Sequence, residues 1–407
     1  MPVSNSTSRS GPSARFRGGL LVFLATTSVA FASGTRVGFK DAFATARGNA
    51  FVATADNPSA IYYNPAGLAQ LDGTQVSANL YSVSAKSDYS GVGGTAAMDD
   101  GANHIPALYI SWKPQGAPWT YGLGVYAPFG LSTDWPASSP LRTFALKNKQ
   151  TYRTYNFSVA YQLSPEFSLG GSFTYNKVDT DLNRAIGLFG PNDLFRFEGG
   201  GHAFGANLGL LWKPSAQHSF GLSYSHHTNV TLRGTSSTIP LIASEPASAD
   251  FAFPETLIVG WSYRPMPEWN LEVNLDWTNW NRLNTVTISK ASGNTPLVFN
   301  WQSGLFYEFG VTRYLSKDWS VSGGYCFTEN STPDATYTPA VPDSNKAFYS
   351  LGLGYHTARF SADLAWQYGD GGHRRVTGSA PSLSGATADG TYKNSLNALS
   401  LSLGLHF

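Results

Sequence analysis

Cysteine is nearly absent from this chain. Cys326 stands alone, which excludes an internal disulfide framework and leaves no thiolate set for a structural zinc. Charge is scarce too, at 13 % of residues against about 25 % in ordinary globular chains. The net charge of +1 offers no basic face for nucleic acid. Beyond the N-terminal leader, no stretch approaches the roughly 20 apolar residues of a transmembrane helix. Nucleophile motifs are lacking as well. His226-His227 and scattered serines suggest hydrolase chemistry, but adjacent strand residues face opposite sides of a sheet, so the pair does not converge. Asp370 is followed by Gly371, Gly372 and His373 rather than by further carboxylates, so no calcium loop forms there. No catalytic residue, metal site or cofactor is expected.

What is present begins with an export signal. Arg9, Arg15 and Arg17 precede a short apolar run from Gly18 to Ala30, and Ala30-Phe31-Ala32 supplies a small-residue cleavage site. Residues 1–32 are read as a signal peptide, with cleavage before Ser33. Export, many aromatics (11 Trp, 21 Tyr and 25 Phe) and 42 Gly together point to the bacterial outer membrane.

The remainder alternates with period two. In the last segment Leu399, Leu401, Leu403, Leu405 and Phe407 interleave with Ser400, Ser402, Gly404 and His406. Phe167, Leu169, Phe173 and Tyr175, and later Trp319, Val321, Tyr325 and Phe327, repeat the pattern. The opposite faces carry Ser, Gly, Asn and Thr with few charges, which suits a polar lumen inside a lipid-facing barrel better than a soluble sandwich. Short Pro- and Ser-bearing turns alternate with long stretches near residues 86–104, 129–147, 179–203, 233–252, 286–296, 329–345 and 370–394. That spacing predicts an all-β transmembrane antiparallel barrel of about fourteen strands over residues 74–407. Glu272, Asp276, Glu308 and Asp363, with Arg264 and Lys213, point into its lumen by parity.

Residues 33–73 break the alternation. Ala55 to Leu68 holds two prolines and the tight-turn sequence Asn64-Pro65-Ala66-Gly67. A plug inside the barrel and an ordinary N-terminal linker are the two readings. Arg36, Lys40, Asp41, Arg47 and Asp56 are the charges a plug would offer to the lumen.

Leader, Asn64-Pro65-Ala66 and a barrel ending in Phe407 resemble the FadL family of outer-membrane transporters. Pro128-Phe129-Gly130-Leu131 after the third strand and Pro254-Glu255-Thr256-Leu257 strengthen the likeness. The resemblance implies a fourteen-stranded barrel occluded by an N-terminal hatch. It also implies passive uptake of long-chain fatty acids or, in some members, monoaromatic hydrocarbons, by a protein expected to be monomeric. A general or structural porin is the alternative class, and an adhesin a third.

Three sets of site residues follow. Leu188, Phe189, Leu194, Phe195 and Phe197, with Ile239, Leu241 and Ile242, make an unusually apolar loop cluster, expected to form a docking groove with Arg196 as the nearest cation. Asn64, Pro65 and Ala66 are expected to hold the hatch fold. Gly122, Gly124 and Pro128 are expected to bend the third strand inward and open the wall sideways. Outer-membrane lipid and lipopolysaccharide are expected partners, with His373-Arg374-Arg375 as a candidate phosphate contact or a solvated loop.

Overall fold

A computed structural model describes residues 34–98 and 101–407; the signal-peptide expectation lies outside them. Among the described residues, fourteen antiparallel strands close into one barrel. They are β1 (Gly73–Gly91), β2 (Asn103–Lys113), β3 (Trp119–Tyr126, resuming as Gly130–Asp134), β4 (Lys147–Gln162), β5 (Phe167–Arg184), β6 (Leu194–Trp212) and β7 (His218–Ser225, continued by Thr228–Ile239). Then come β8 (Ile242–Phe253, continued by Thr256–Tyr263), β9 (Trp269–Thr278), β10 (Gly304–Tyr314), β11 (Trp319–Thr328), β12 (Lys346–His356), β13 (Phe360–Val376) and β14 (Gly390–His406). β1 pairs with β14 from Gln75↔His406 to Gly91↔Gly390, which closes the ring.

Parity decides which face meets lipid. Leu399, Leu401, Leu403 and Leu405 are 44–55 % exposed, whereas Ser400 and Ser402 are 1 % and 3 % exposed. This inverts the arrangement of a water-soluble sheet and is stable only where the outer solvent is hydrocarbon. Trp112, Trp119, Trp212 and Trp319, all exposed, ring the barrel near its short turns, the position of an interfacial aromatic girdle.

The stretches expected to be loops at 179–203 and 233–252 are mostly strand. β5 and β6 pair out to Arg184↔Phe195, and β7 and β8 pair out to Thr238↔Ile242. Their outward faces there carry Asp179, Asp181, Glu198 and Arg196 instead of apolar groups, because the wall has risen out of the membrane. The alternation that marks a lipid-facing strand stops while the hydrogen-bonded ladder continues.

Residues 34–72 lie within the barrel. Helix α1 (Ala42–Ala46) is capped by Asp41, whose Oδ1 accepts from the Ala44 N–H at 3.0 Å. Helix α2 (Ala60–Tyr63) leads to Asn64, which caps a 3₁₀ turn over Pro65–Gln70. Asn64 Oδ1 accepts from the Ala66 N–H at 3.1 Å. Its Nδ2 donates to the Val52 carbonyl at 2.8 Å and to the Leu210 carbonyl of β6 at 3.0 Å. One side chain thus closes the turn, ties it to its own segment and fixes it to the wall. Two wall glycines make the approach possible. A Cβ on Gly170 would lie 2.3 Å from the Ala66 nitrogen, and one on Gly209 would lie 2.2 Å from Asn64 Oδ1.

Charged lumenal groups meet their complements across this contact. Arg36 pairs with Asp276 at 2.7 Å, and Arg47 with Glu272 at 3.1 Å, all four essentially dry. Asn49 donates to Glu308 at 2.7 Å, Lys213 to Gln70 at 2.8 Å, and Arg264 lies 3.5 Å from Asp56. Asp363 is bonded instead to His356, at 2.8 Å. Lys40 is buried and its Nζ has no hydrogen-bond partner. Burial, reinforced by the nearby Arg36 charge, holds its pKa well below the usual lysine range.

Candidate ligand pocket and wall opening

β3 departs from its neighbour part-way up the wall. It pairs with β2 from Trp112↔Tyr121 to Leu108↔Val125, whereas β2 continues along β1 to Asn103↔Val83. Above Leu108, β2 therefore has no ladder partner on the β3 side. On its other side β3 pairs with β4 to Tyr126↔Thr154 and resumes at Gly130↔Thr151, so Ala127, Pro128 and Phe129 stand against Tyr152 and Arg153. Phe129 turns inward and is buried against Tyr152, Phe253 and Trp280.

Unpaired backbone at membrane depth costs several kcal/mol per group. Here the N-terminal segment supplies the missing partners. The Val37 N–H donates to the Pro128 carbonyl at 2.8 Å and the Gly130 N–H donates to the Thr35 carbonyl at 2.9 Å, on either side of an isolated Arg36↔Phe129 bridge. Gly122 and Gly124 lie below the break and are regularly paired on both sides. Their role is clearance: a Cβ at either would press on Ile61, at 2.9 and 2.8 Å. The interruption belongs to Pro128 and its two neighbours, not to these glycines. Pro106, which lacks an N–H, stands on β2 just above the last rung, a second proline at the break that the alternation of its strand conceals.

Above the break the extended strands and their connections enclose a cavity of about 410 Å³, within the range of small-ligand sites. Leu131, Phe144, Phe195, Phe251, Phe299 and Trp301 line much of it, Thr35 reaches it from the N-terminal segment, and Asn148, Gln150, Asn183, Arg184, Thr336 and Thr338 are among its polar groups. Arg184 is the cavity's single charged residue. Its guanidinium lies 5.3 Å from the centre of the Phe195 ring and makes no ion pair among the described residues. A second, smaller cavity of about 60 Å³ lies below, lined by Arg36, Tyr62, Tyr126, Pro128 and Phe129. Phe253 lines the upper space and Phe129 the lower, their centroids 5.2 Å apart.

The expected groove is only partly assembled. Phe195 lines the cavity and Phe197 is buried in the same apolar cluster. Leu194 and Ile239 are register partners on the half-exposed outer face of the wall, and Ile242 is also half-buried. Leu188, Phe189 and Leu241 are exposed at the tips. Arg196 faces outward and is held by Asp181 and Glu198, each at 2.8 Å. Alternation along β6 separates Phe195 and Phe197 from Leu194 and Arg196, so a run that looks contiguous divides between two faces. Arg374 likewise faces inward, bonded to Asp334 at 2.7 Å and to the Asp343 carbonyl at 3.0 Å, which removes it from any lipid contact.

A family model described as "Outer membrane protein transport protein (OMPP1/FadL/TodX)" matches residues 23–407. The chain belongs to this family. It is a multi-pass β-barrel protein of the bacterial outer membrane. A putative outer membrane protein of Neisseria meningitidis serogroup B is 24 % identical, covering 81 % of this chain and 84 % of the relative. A long-chain fatty acid transport protein of Escherichia coli O6:H1 is 20 % identical over 74 % and 78 % of the two chains. Among solved structures, a Pseudomonas aeruginosa FadL homologue superposes with a TM-score of 0.84 at 18 % identity, covering 92 % of this chain and all of the other. The Pseudomonas putida toluene transporter TodX gives 0.75 at 16 % identity, with the same coverage. At these identities the structural likeness establishes a shared FadL-type fold.

Proposed function

We propose that this FadL-family chain takes up hydrophobic anions of the long-chain fatty acid class by passive diffusion. The acyl chain occupies the apolar cavity with its carboxylate on Arg184. The N-terminal segment acts as the hatch, and the ligand leaves sideways into the membrane at the β3 break. The observation that carries this reading is the lone charged group, a guanidinium, in a largely apolar and aromatic space. A partly buried cation without an acidic partner is costly, and a ligand that brings the missing carboxylate recovers that cost through a charge-assisted pair. A neutral hydrocarbon recovers none of it, which sets monoaromatic uptake second. Relatives described as long-chain fatty acid transport proteins support the first choice, and the toluene transporter TodX keeps the second in view. No step requires covalent chemistry, so the protein is read as a channel and not as an enzyme.

Binding of oleate and of toluene to purified protein and to Arg184→Gln tests the choice. The fatty acid reading expects oleate affinity to fall about tenfold or more in the variant, with toluene binding weak and unchanged. Equal oleate affinity in both proteins, or tight toluene binding indifferent to the substitution, favours the hydrocarbon reading.

A further inference from the structure

Arg153, Lys177 and His202 form a row across three neighbouring strands on the outside of the barrel. Arg153 on β4 is the register partner of Lys177 on β5, and Lys177 is the partner of His202 on β6. All three share the outward parity of Tyr155, Tyr175 and Phe204, the exposed aromatics one step below. His202 packs on Tyr175 with ring centroids 5.5 Å apart.

Cations placed directly opposite on a sheet repel and destabilise the pairing. Neither Arg153 nor Lys177 is relieved by an ion pair to a carboxylate among the described residues. The Arg153 Nε is buried without a hydrogen-bond partner. The nearest acids on this face stand further out. Asp179 occupies the next rung, and beyond it Asp181 and Glu198 are already held by Arg196.

Height fixes what the row would meet. Lys177 lies about ten residues along β5 from Phe167, and His202 about as far along β6 from Trp212. At about 3.4 Å per residue and a strand tilt of about 40°, that is roughly 26 Å above the short-turn girdle, against an apolar band about 25 Å tall. The row therefore stands at the outer rim of the hydrocarbon, with aromatics below it and water above.

We infer that Arg153, Lys177 and His202 form a binding site for the phosphate of an outer-leaflet phosphoglycolipid, the lipid A moiety of lipopolysaccharide. A phosphate set between Arg153 and Lys177 turns like-charge repulsion into two charge-assisted contacts, and the imidazole of His202 adds a donor. The acyl chains then lie down the Tyr155, Tyr175 and Phe204 face. Of His373-Arg374-Arg375, Arg374 is engaged by Asp334 and the Asp343 carbonyl, which leaves His373 and Arg375 as a separate, smaller outward pair.

Native mass spectrometry of the detergent-solubilised barrel, titrated with bis-phosphorylated lipid A, tests this. The Arg153→Gln/Lys177→Gln protein should bind at least about tenfold more weakly than wild type, and Arg153→Lys/Lys177→Arg should retain binding. Lys317→Gln, in an exposed short turn at the opposite end, should bind as wild type does. Heat-modifiable gel migration confirms that each barrel is folded, and a single Lys177→Gln variant carries the test if the double one is not. Dephosphorylated lipid A should bind wild type no better than phosphorylated lipid A binds the double variant. Undiminished binding by the double variant, equal binding of dephosphorylated lipid, or displacement of lipid A by millimolar inorganic phosphate would each overturn the assignment.

Discussion

The backbone N–H of Val37 donates to the carbonyl of Pro128 at 2.8 Å, joining the N-terminal segment to the wall where β3 departs from β2. Neither side is self-sufficient. β3 above Tyr126 has lost its β2 partner, and among the described residues, residues 35–37 make no other β-bridge. The two stabilise each other, so movement of one disturbs the other. This gives the proposed hatch and the proposed exit a common hinge. Ligand descending past Phe253 would press on Phe129, the wall residue bridged to Arg36 at that hinge.

The hatch should behave as a docked plug whose seat includes wall glycines. Gly170→Val should displace the Asn64-Pro65-Ala66 turn, because even a Cβ would lie 2.3 Å from backbone. The barrel should still show heat-modifiable migration, while single-channel conductance in planar bilayers rises well above wild type. Equal conductance would mean that the turn does not seal the lumen.

Breaking a dry ion pair should cost more than removing it. Asp276→Asn strands the Arg36 guanidinium among Thr278 and the Phe306 ring, an expected loss of about 3–5 kcal/mol. The double replacement Arg36→Met/Asp276→Leu should lie close to wild type. Urea unfolding midpoints in detergent separate these outcomes. A double variant as unstable as the single one would show that the pair itself, and not its broken half, holds the segment.

Much of the architecture is legible in the chain because lipid imposes a strict rule. Leu399 to Phe407 alternate since one face meets hydrocarbon and the other a wet, crowded lumen, and Asn64-Pro65-Ala66 is visible because few side chains can close such a turn. The pocket is less legible for a physical reason. Where β5 to β8 rise above the membrane, the outward face turns polar and the pattern fades, so strand reads as loop. Arg184 ends the polar run Asp181-Leu182-Asn183-Arg184 and looks like any solvated cation. Its isolation emerges only once Asp181 is seen to be occupied by Arg196 across the hairpin.

Acid should tighten the hatch over a defined range. Burial first, and the Asp363 charge second, push the Asp41 carboxyl up from 3.8 to about 6. The folded state therefore holds this proton more tightly than the unfolded chain does. The cost of burying the carboxylate is absent below about pH 4, grows between pH 4 and 6, and is complete above 6. Asp41→Asn keeps a capping oxygen for Ala44, so it should raise the unfolding midpoint at pH 7.5 and lose that advantage below about pH 4. A gain that persists at pH 3.5 would assign the effect to something other than this proton.

Uptake with the wall opening bridged tests the proposed route most directly. Ile105 of β2 and Ala127 of β3 belong to one buried cluster at the upper edge of the gap. Cysteines at both positions, in a Cys326→Ser background, are joined by a short reversible bis-methanethiosulfonate linker on intact cells, and uptake of labelled oleate is followed. The lateral route predicts that bridged cells fall to the level of cells without the protein and that reductant restores uptake. Full oleate uptake with the bridge intact would contradict it and send the ligand through the lumen instead.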